Sequence, residues 1–264
     1  MLDFGFYNMD CMEGMKQFPD KYFDLAIVDP PYGINIGSAA MGMGGGVAPH
    51  TNRSAAQNRS GKERRLTLTI IPDLIGVEDD KPIQVGGGCA TGKGMAFPKV
   101  YKAFDDSSIP SKEYFAELDR VAKKQIIWGG NYFLEYLNAT EGMIVWDKKR
   151  RGLNFADCEI AWTNIQQPCR IFEFMWNGML QQDMKNKEER IHPTQKPVAL
   201  YKWILTNYAK EGDKILDTHV GSASSLIACY DMGFDYVGFE IDEEYYRQAT
   251  KRLEEEKAQV RWTW

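Results

Sequence analysis

Asp29-Pro30-Pro31-Tyr32 follows directly on the apolar run Leu25-Ala26-Ile27-Val28, so a strand that reads as buried delivers a carboxylate and an aromatic ring into a proline-fixed turn. The carboxyl end of such a strand is where open α/β sheets place their ligands. These residue types suit methylation of an exocyclic amino group on a nucleobase. That nitrogen is a poor nucleophile because its lone pair is delocalised into the ring. A carboxylate and a backbone carbonyl that accept its two hydrogens would pull it toward tetrahedral geometry and free the lone pair. Asp29 and the Pro30 carbonyl are those two acceptors, and Pro30 and Pro31 fix φ while offering no competing N–H. Tyr32 offers a face to a flipped base, a contact worth about 1–3 kcal/mol per base on aromatic platforms. The bare tetrapeptide can also be read as a proline turn whose aspartate caps a neighbouring element.

A second constellation is Lys214-Ile215-Leu216-Asp217-Thr218-His219-Val220-Gly221-Ser222-Ala223-Ser224, which reads as strand, tight turn and helix start. Another strand ends at Glu240, 23 residues after Asp217. An acid at about that distance from a glycine turn holds ribose hydroxyls in nucleoside-binding βαβ units. The turn is not G-x-G-x-x-G, and many α/β proteins carry a glycine and an acid so placed for purely structural reasons. The third element is Arg190-Ile191-His192-Pro193-Thr194-Gln195-Lys196-Pro197, where Thr194 and Lys196 can meet an anion such as a methionine-like carboxylate at a helix start. It also reads as a capped loop packed on a helix. His192 and His219 do not read as a metal pair, since no acid or thiol keeps regular spacing with them, and no metal is expected.

The elements that must position these groups alternate. Strand-like runs recur at Phe23–Val28, Gln125–Trp128, Met143–Trp146, Glu159–Trp162, Ile171–Met175, Lys214–Leu216 and Tyr236–Phe239. Helical spacing follows Ser111 to about Ala122, then begins at Pro197, at Ser222 (to Met232, before Gly233) and at Glu243 (to Leu253). Alternation of this kind predicts an α/β fold with a mainly parallel sheet, and 264 residues leave length for one large core. Two segments break the rhythm: residues 36–96, rich in glycine around a basic centre, and the polar stretch 164–191. Loops that long inside a domain are functional or disordered.

No run approaches the roughly 20 apolar residues of a membrane helix, and the first residues lack the pattern of a signal peptide. The five cysteines, odd in number and without a C-x-x-C pair, suggest neither a disulfide framework nor a zinc site, and a cytoplasmic protein is expected. The net charge of −5 argues against a nucleic-acid partner only until its distribution is seen. Nine acidic and four basic residues fall between Asp231 and Lys257, while Arg53, Arg59, Lys62, Arg64 and Arg65 cluster around one Glu63. Lys148-Lys149-Arg150-Arg151 is a second basic run. Both basic segments can meet phosphates, and both can equally be solvated surface.

Together, Asn8-Met9-Asp10-Cys11, Asp29-Pro30-Pro31-Tyr32, the H-P-T-Q-K-P run and the late glycine turn resemble the amino-group DNA methyltransferases that use S-adenosylmethionine. With the D-P-P-Y motif early and the glycine turn late, the chain is similar to the beta class. The resemblance spans residues 5–35 and 97–264. It implies a Rossmann-like methyltransferase sheet with circularly permuted motif order, in one catalytic domain over residues 1–264. It implies that Asp29, Pro30, Pro31 and Tyr32 bind and activate the base. It further implies that Asp10 contacts the cofactor adenine and Glu240 its ribose, and that His192, Thr194 and Lys196, with Asp217, His219, Gly221 and Ser222, hold its methionine end. Similar enzymes usually show D-P-F-x-G-S-G-T in that turn. Here Thr218, His219 and Ala223 depart from it, which bears on cofactor affinity.

The resemblance also gives the inserts a role. Residues 36–96 would close over flipped double-stranded DNA, 164–191 would read the target sequence, and Arg53, Arg64, Arg65, Lys148, Lys149, Arg150 and Arg151 would contact phosphates. Trp128-Gly129-Gly130-Asn131-Tyr132 resembles a further family segment near the base pocket. Asp in the first motif position points to adenine-N6, with cytosine-N4 as the near alternative. Methylation of RNA or of a protein amide, a DNA-binding protein with a disabled cofactor site, and a nicotinamide-dependent oxidoreductase are more distant ones. Similar enzymes are often homodimers, and a cognate restriction endonuclease is a partner the resemblance allows.

Overall fold

In the computed structural model, which describes residues 1–34, 101–102, 104–151, 156–177 and 180–259, the chain opens with two elements that the periodicity did not predict. These are strand β1 (Gly5–Asn8) and helix α1 (Cys11–Met15). Both are shorter than the windows in which a period can be recognised. Then come β2 (Phe23–Val28), α2 (Lys112–Val121), β3 (Ala122–Trp128), β4 (Met143–Asp147), β5 (Cys158–Thr163) and β6 (Arg170–Glu173). The two-residue strands β7 (Trp176–Asn177) and β8 (Leu180–Gln181) form a small hairpin. The chain continues through α3 (Val198–Tyr208), β9 (Lys214–Asp217), α4 (Ser224–Met232), β10 (Asp235–Glu240) and α5 (Glu243–Lys257). Residues 36–96, and with them Arg53, Arg64 and Arg65, lie outside the described residues.

Eight strands make one sheet in the order β1-β10-β9-β2-β3-β5-β4-β6. All neighbours are parallel except at β5, which runs antiparallel to both β3 and β4. The expected mainly parallel α/β sheet is therefore present, and its strand order explains the permuted motifs. β9, late in the chain, lies beside β2, near its start, with Leu216 opposite Ala26. From that centre the sheet is built outward in both directions, so the β9/β2 border is the switch point at which α/β sheets bind ligands.

β2 is buried on both faces, which is why it reads as a continuous apolar run. Ala26 and Val28 pack toward Phe115, Leu118 and Phe133, while Leu25 and Ile27 pack toward Leu200, Ile204 and Cys229. Helices thus cover both sides, and the strand ends are fixed by two cores. α2 passes straight into β3, with Ala122 serving as both helix cap and first strand residue. α4 starts two residues later than its periodicity predicts. Ala223 takes a left-handed conformation, φ +62°, and ends the turn there.

Candidate active site

Four strands side by side, β1, β10, β9 and β2, end in or just before Asp10, Glu240, Asp217 and Asp29. The sheet therefore lines acids along one edge.

At β2 the turn is held from outside. Buried Asp106 accepts the backbone N–H of Tyr32 at 2.7 Å and of Gly33 at 2.9 Å. The Tyr32 hydroxyl donates to Asp29 Oδ1 at 2.5 Å, and Lys196 Nζ donates to Asp29 Oδ2. Burial, with Asp29 and Glu159 nearby, raises the Tyr32 pKa well above its ordinary value, so the phenol keeps its proton. One face of its ring is stacked on Tyr132, centroids 4.9 Å apart and 14° between planes, and Phe133 meets it edge-on. Gly129 sits at φ +70°, and a Cβ there would come within 2.2 Å of the Tyr32 ring, so glycine is required twice over. This accounts for the Trp128-to-Tyr132 segment beside the Asp29–Tyr32 turn.

Lys196 is only 3% exposed. Besides Asp29 it faces Glu159 Oε2 at 3.2 Å, and its ammonium lies over the rings of Trp128 and Tyr32 at 5.4 and 5.8 Å. Burial works against the charge, but Asp29 and Glu159 outweigh it and hold the lysine pKa above normal. Burial likewise opposes ionised Glu159, yet Lys196 and Lys148 bring its pKa down to about 2. A chain of alternating charges, Lys148–Glu159–Lys196–Asp29, thus ends at the Asp29–Tyr32 turn. The structure places Lys196 on Asp29 rather than among the other strand-end acids.

Those other acids are bound differently. Asp217, 2% exposed, accepts the Ser225 hydroxyl at 2.5 Å and the His219 backbone N–H at 3.0 Å. Burial nevertheless pushes its pKa up to about 7. Glu240 accepts the N–H of Gly221 and of Asp242, each at 2.9 Å, and burial raises its pKa too. Asp10 caps α1 through the Met12 N–H at 2.7 Å. Among the described residues no side-chain cation is paired with any of the three. Gly221 has φ +56°, so its backbone requires glycine, while the space over it is open as far as the His192 ring, 3.9 Å from where a Cβ would stand.

His192 lies between Phe104 and Tyr245, ring centroids 4.8 and 4.4 Å away. Its Nδ1 accepts the Thr194 N–H at 3.3 Å, with the Thr194 hydroxyl at 3.0 Å. Burial, then Lys196 and Arg190, lower its pKa to about 3, and burial lowers that of His219 to about 4. Both imidazoles are therefore neutral. His219 rests edge-on against Tyr114, whose hydroxyl meets Thr218 at 2.7 Å. The Ser222 hydroxyl meets that of Ser224 at 3.1 Å, and its carbonyl accepts from Arg252 at 2.6 Å.

Acids that no described side-chain cation pairs, beside neutral rings, form a lining suited to a cationic nucleoside. S-adenosylmethionine, with its sulfonium, ammonium and ribose hydroxyls, fits it.

Of the basic run, Lys148 turns inward to Glu159, Lys149 pairs with Glu173 at 3.0 Å, and Arg151 pairs with Asp147 at 2.7 Å while staying 79% exposed. Arg150 is partly buried. Sequence reading missed Asp106 and Glu159. Glu159 had a signal, a lone charge in the otherwise apolar strand Glu159-Ile160-Ala161-Trp162; Asp106 had none.

The strand order and the acids at the strand ends define a methyltransferase-type α/β fold. A family model described as DNA methylase, of the N6/N4 type, matches residues 23–251. The chain belongs to this N6/N4 DNA methylase family, and so is an amino-group DNA methyltransferase. It is 33% identical over 253 residues to the type II methyltransferase M2.LlaDCHI of Lactococcus lactis subsp. cremoris, covering 93% of this chain and 87% of that one. Identity to the type II methyltransferase M2.DpnII of Streptococcus pneumoniae is 24% over 253 residues, covering 94% and 89%. Among solved structures, the cytosine-N4-specific PvuII DNA methyltransferase shares the fold at a TM-score of 0.51 and 10% identity, over 97% of this chain and 91% of that one.

Proposed function

We propose that this chain methylates the N6 amino group of adenine in double-stranded DNA, acting on a base turned out of the helix. The observation that carries the reading is Asp29, a carboxylate oriented at the switch point by Tyr32 and Lys196 and followed by the rigid Pro30 carbonyl. S-adenosylmethionine is the donor and supplies an electrophilic methyl group on a sulfonium sulfur. Asp217 takes its ammonium end, Glu240 its ribose hydroxyls and Asp10 its adenine, with His192, Thr194, His219, Gly221 and Ser222 lining the same side.

On the base side, Asp29 and the Pro30 carbonyl accept the two amino hydrogens, and Asp29 is the neighbouring base for the proton that the methylated nitrogen must shed. Tyr32 stacks the base, which takes the place that Tyr132 fills beside the ring. No thiol is called on: burial and Asp10 push Cys11, beside the cofactor acids, up to about 12. The exposed Lys149 and Arg151 meet phosphates, and the stretch 164–191, with its exposed Leu180 and Met184, contributes to target reading. Adenine rather than cytosine is favoured by Asp, not Ser, at the first motif position.

The test is to incubate the protein with unmethylated genomic DNA and methyl-labelled S-adenosylmethionine and to identify the labelled nucleoside. Label in N6-methyladenine supports the reading. N4-methylcytosine would retain the chemistry and overturn the base assignment, and no labelled nucleoside, with a working control, would overturn both.

A further inference from the structure

Glu159 belongs to the Asp29 cluster, yet methyl transfer as described does not call on it. It projects from β5, the strand that runs against the sheet's direction, two strands away from β2. Lys148 pairs with its Oε1. Its Oε2 is buried and stands in ion-pair contact with Lys196 Nζ at 3.2 Å, but among the described residues it completes no hydrogen bond. Lys196 therefore donates to one carboxylate while the acceptor on the other, already in contact, is left without a hydrogen bond.

That unfilled acceptor meets a need at Asp29. Both of its oxygens already accept a proton donor, the Tyr32 hydroxyl on Oδ1 and the Lys196 ammonium on Oδ2. An ammonium bonded to Oδ2 competes for the electron density that an incoming amino hydrogen would use. Moving it off without a partner would leave a charge stranded in a buried site, a strongly unfavourable change. The rings of Trp128 and Tyr32 wall the ammonium, which confines it to the space between the two acids.

We propose that Glu159 is a positioning residue for methyl transfer: it offers Lys196 a second seat, so that the ammonium moves from Asp29 Oδ2 toward Glu159 Oε2 as the base's amino group donates to Asp29. The inference rests on the reading of Asp29 as the acceptor of the amino hydrogens. Throughout the move the cation keeps a carboxylate, and Lys148 keeps Glu159 ionised to receive it. Glu159 touches neither base nor cofactor and acts through Lys196.

The experiment measures single-turnover transfer at saturating DNA and S-adenosylmethionine for wild type, Glu159→Gln and Glu159→Asp, with KM values and melting curves alongside. Glu159→Gln is expected to slow transfer ten- to a hundredfold with both KM values within threefold of wild type. Glu159→Asp, which keeps the charge, is expected to stay within about fivefold of wild type in rate. In a Lys196→Met background, Glu159→Gln is expected to add less than twofold. Transfer by Glu159→Gln at the wild-type rate would overturn the proposal. So would equal slowing by Gln and Asp, which would make the role one of shape, or an undiminished effect of Gln in the Lys196→Met background. If Lys196→Met does not fold, the Gln and Asp rates decide alone. A wild-type protein that labels no nucleoside in this assay defeats the functional reading itself. A wild type that labels adenine beside an equally fast Glu159→Gln defeats only the role of Glu159.

Discussion

The two halves of the sheet's carboxyl edge handle the same problem, a buried acid, in opposite ways. On the β2 side the acids are matched: Asp29 and Glu159 share Lys196, and Lys148 completes the chain. On the side of β9, β10 and β1, Asp217, Glu240 and Asp10 meet, among the described residues, only backbone N–H groups and a serine hydroxyl. The electrostatic consequence differs: the neighbouring lysines hold Glu159 down to about 2, while burial pushes Asp217 up to about 7. A matched cluster suits work on a neutral group without taking up net charge, and an unmatched one is short of positive charge of the kind a sulfonium nucleoside carries. Under the proposed function, this difference in pairing separates base chemistry from cofactor binding along one strand edge.

The separation can be broken most severely at Asp29. Asp29→Ala is expected to lower the transfer rate by about a thousandfold or more, because acceptor and neighbouring base are lost together. The protein should remain folded, since Glu159 still accompanies the buried Lys196, and binding of S-adenosylmethionine should change little. Calorimetry of cofactor binding beside the rate assay checks both. A variant that transfers at an appreciable fraction of the wild-type rate would remove Asp29 from the chemistry.

Asp217→Asn is the counterpart. It should weaken S-adenosylmethionine by roughly ten- to hundredfold, ~1.4–2.8 kcal/mol, while transfer at saturating cofactor stays near wild type. The reverse pattern, normal affinity with slow transfer, would dissolve the division of labour between the two sides.

The same substitution sharpens the comparison in the absence of cofactor. An acid whose folded pKa, about 7, exceeds its unfolded value, 3.8, favours the folded state fully only below the lower value. That contribution is lost as pH rises from about 4 to about 7 and is constant above. Asp217→Asn does not titrate, so its melting temperature relative to wild type should climb between pH 5 and pH 7 and level off by pH 8. A flat difference over that range would mean that Asp217 is ionised at little cost.

Much of this edge was legible beforehand because its residues are local. Asp29-Pro30-Pro31-Tyr32 declares itself by composition, and β2 by a continuous apolar run that only a strand covered on both faces tolerates. Glu240 was found from its distance to the glycine turn. The partners of Asp29 were less accessible, since ion pairs across 167 positions, such as Lys196 with Asp29, follow from sheet order and not from spacing. Lys196 itself was noticed, but as a cofactor ligand. Lys148 reads as a phosphate contact in a basic run, whereas the pairing of β4 with β5 sets Glu159 beside it and turns it inward. Asp106 stands 74 residues from the Tyr32 N–H it accepts, without any pattern around it.

The smallest effects are expected in the turn between β9 and α4, where two neighbouring positions share a left-handed backbone with different residues. Gly221 is at φ +56° and Ala223 at φ +62°. At Ala223 the conformation costs about 1–2 kcal/mol relative to glycine. Its methyl is fully buried with Val220, Leu226, Ala249 and Leu253, so it faces packing and not the strand-end acids. Ala223→Gly would relieve the strain but lose a buried methyl, about 0.8 kcal/mol, and add backbone freedom to the unfolded chain, about 0.4–1 kcal/mol. These terms offset, so stability should shift by no more than about 1 kcal/mol and cofactor affinity not at all. Gly221→Ala lacks the buried-methyl term. Its Cβ would meet only the His192 ring at 3.9 Å, so about 1–2 kcal/mol of backbone strain is offset only by the stiffer unfolded chain, about 0.4–1 kcal/mol, and the fold should lose no more than about 1.5 kcal/mol. Any further weakening of S-adenosylmethionine would come from the methyl group filling the space over the turn. Denaturant unfolding and calorimetry on the two variants separate these contributions. Unchanged affinity in Gly221→Ala would mean that the cofactor does not approach this glycine.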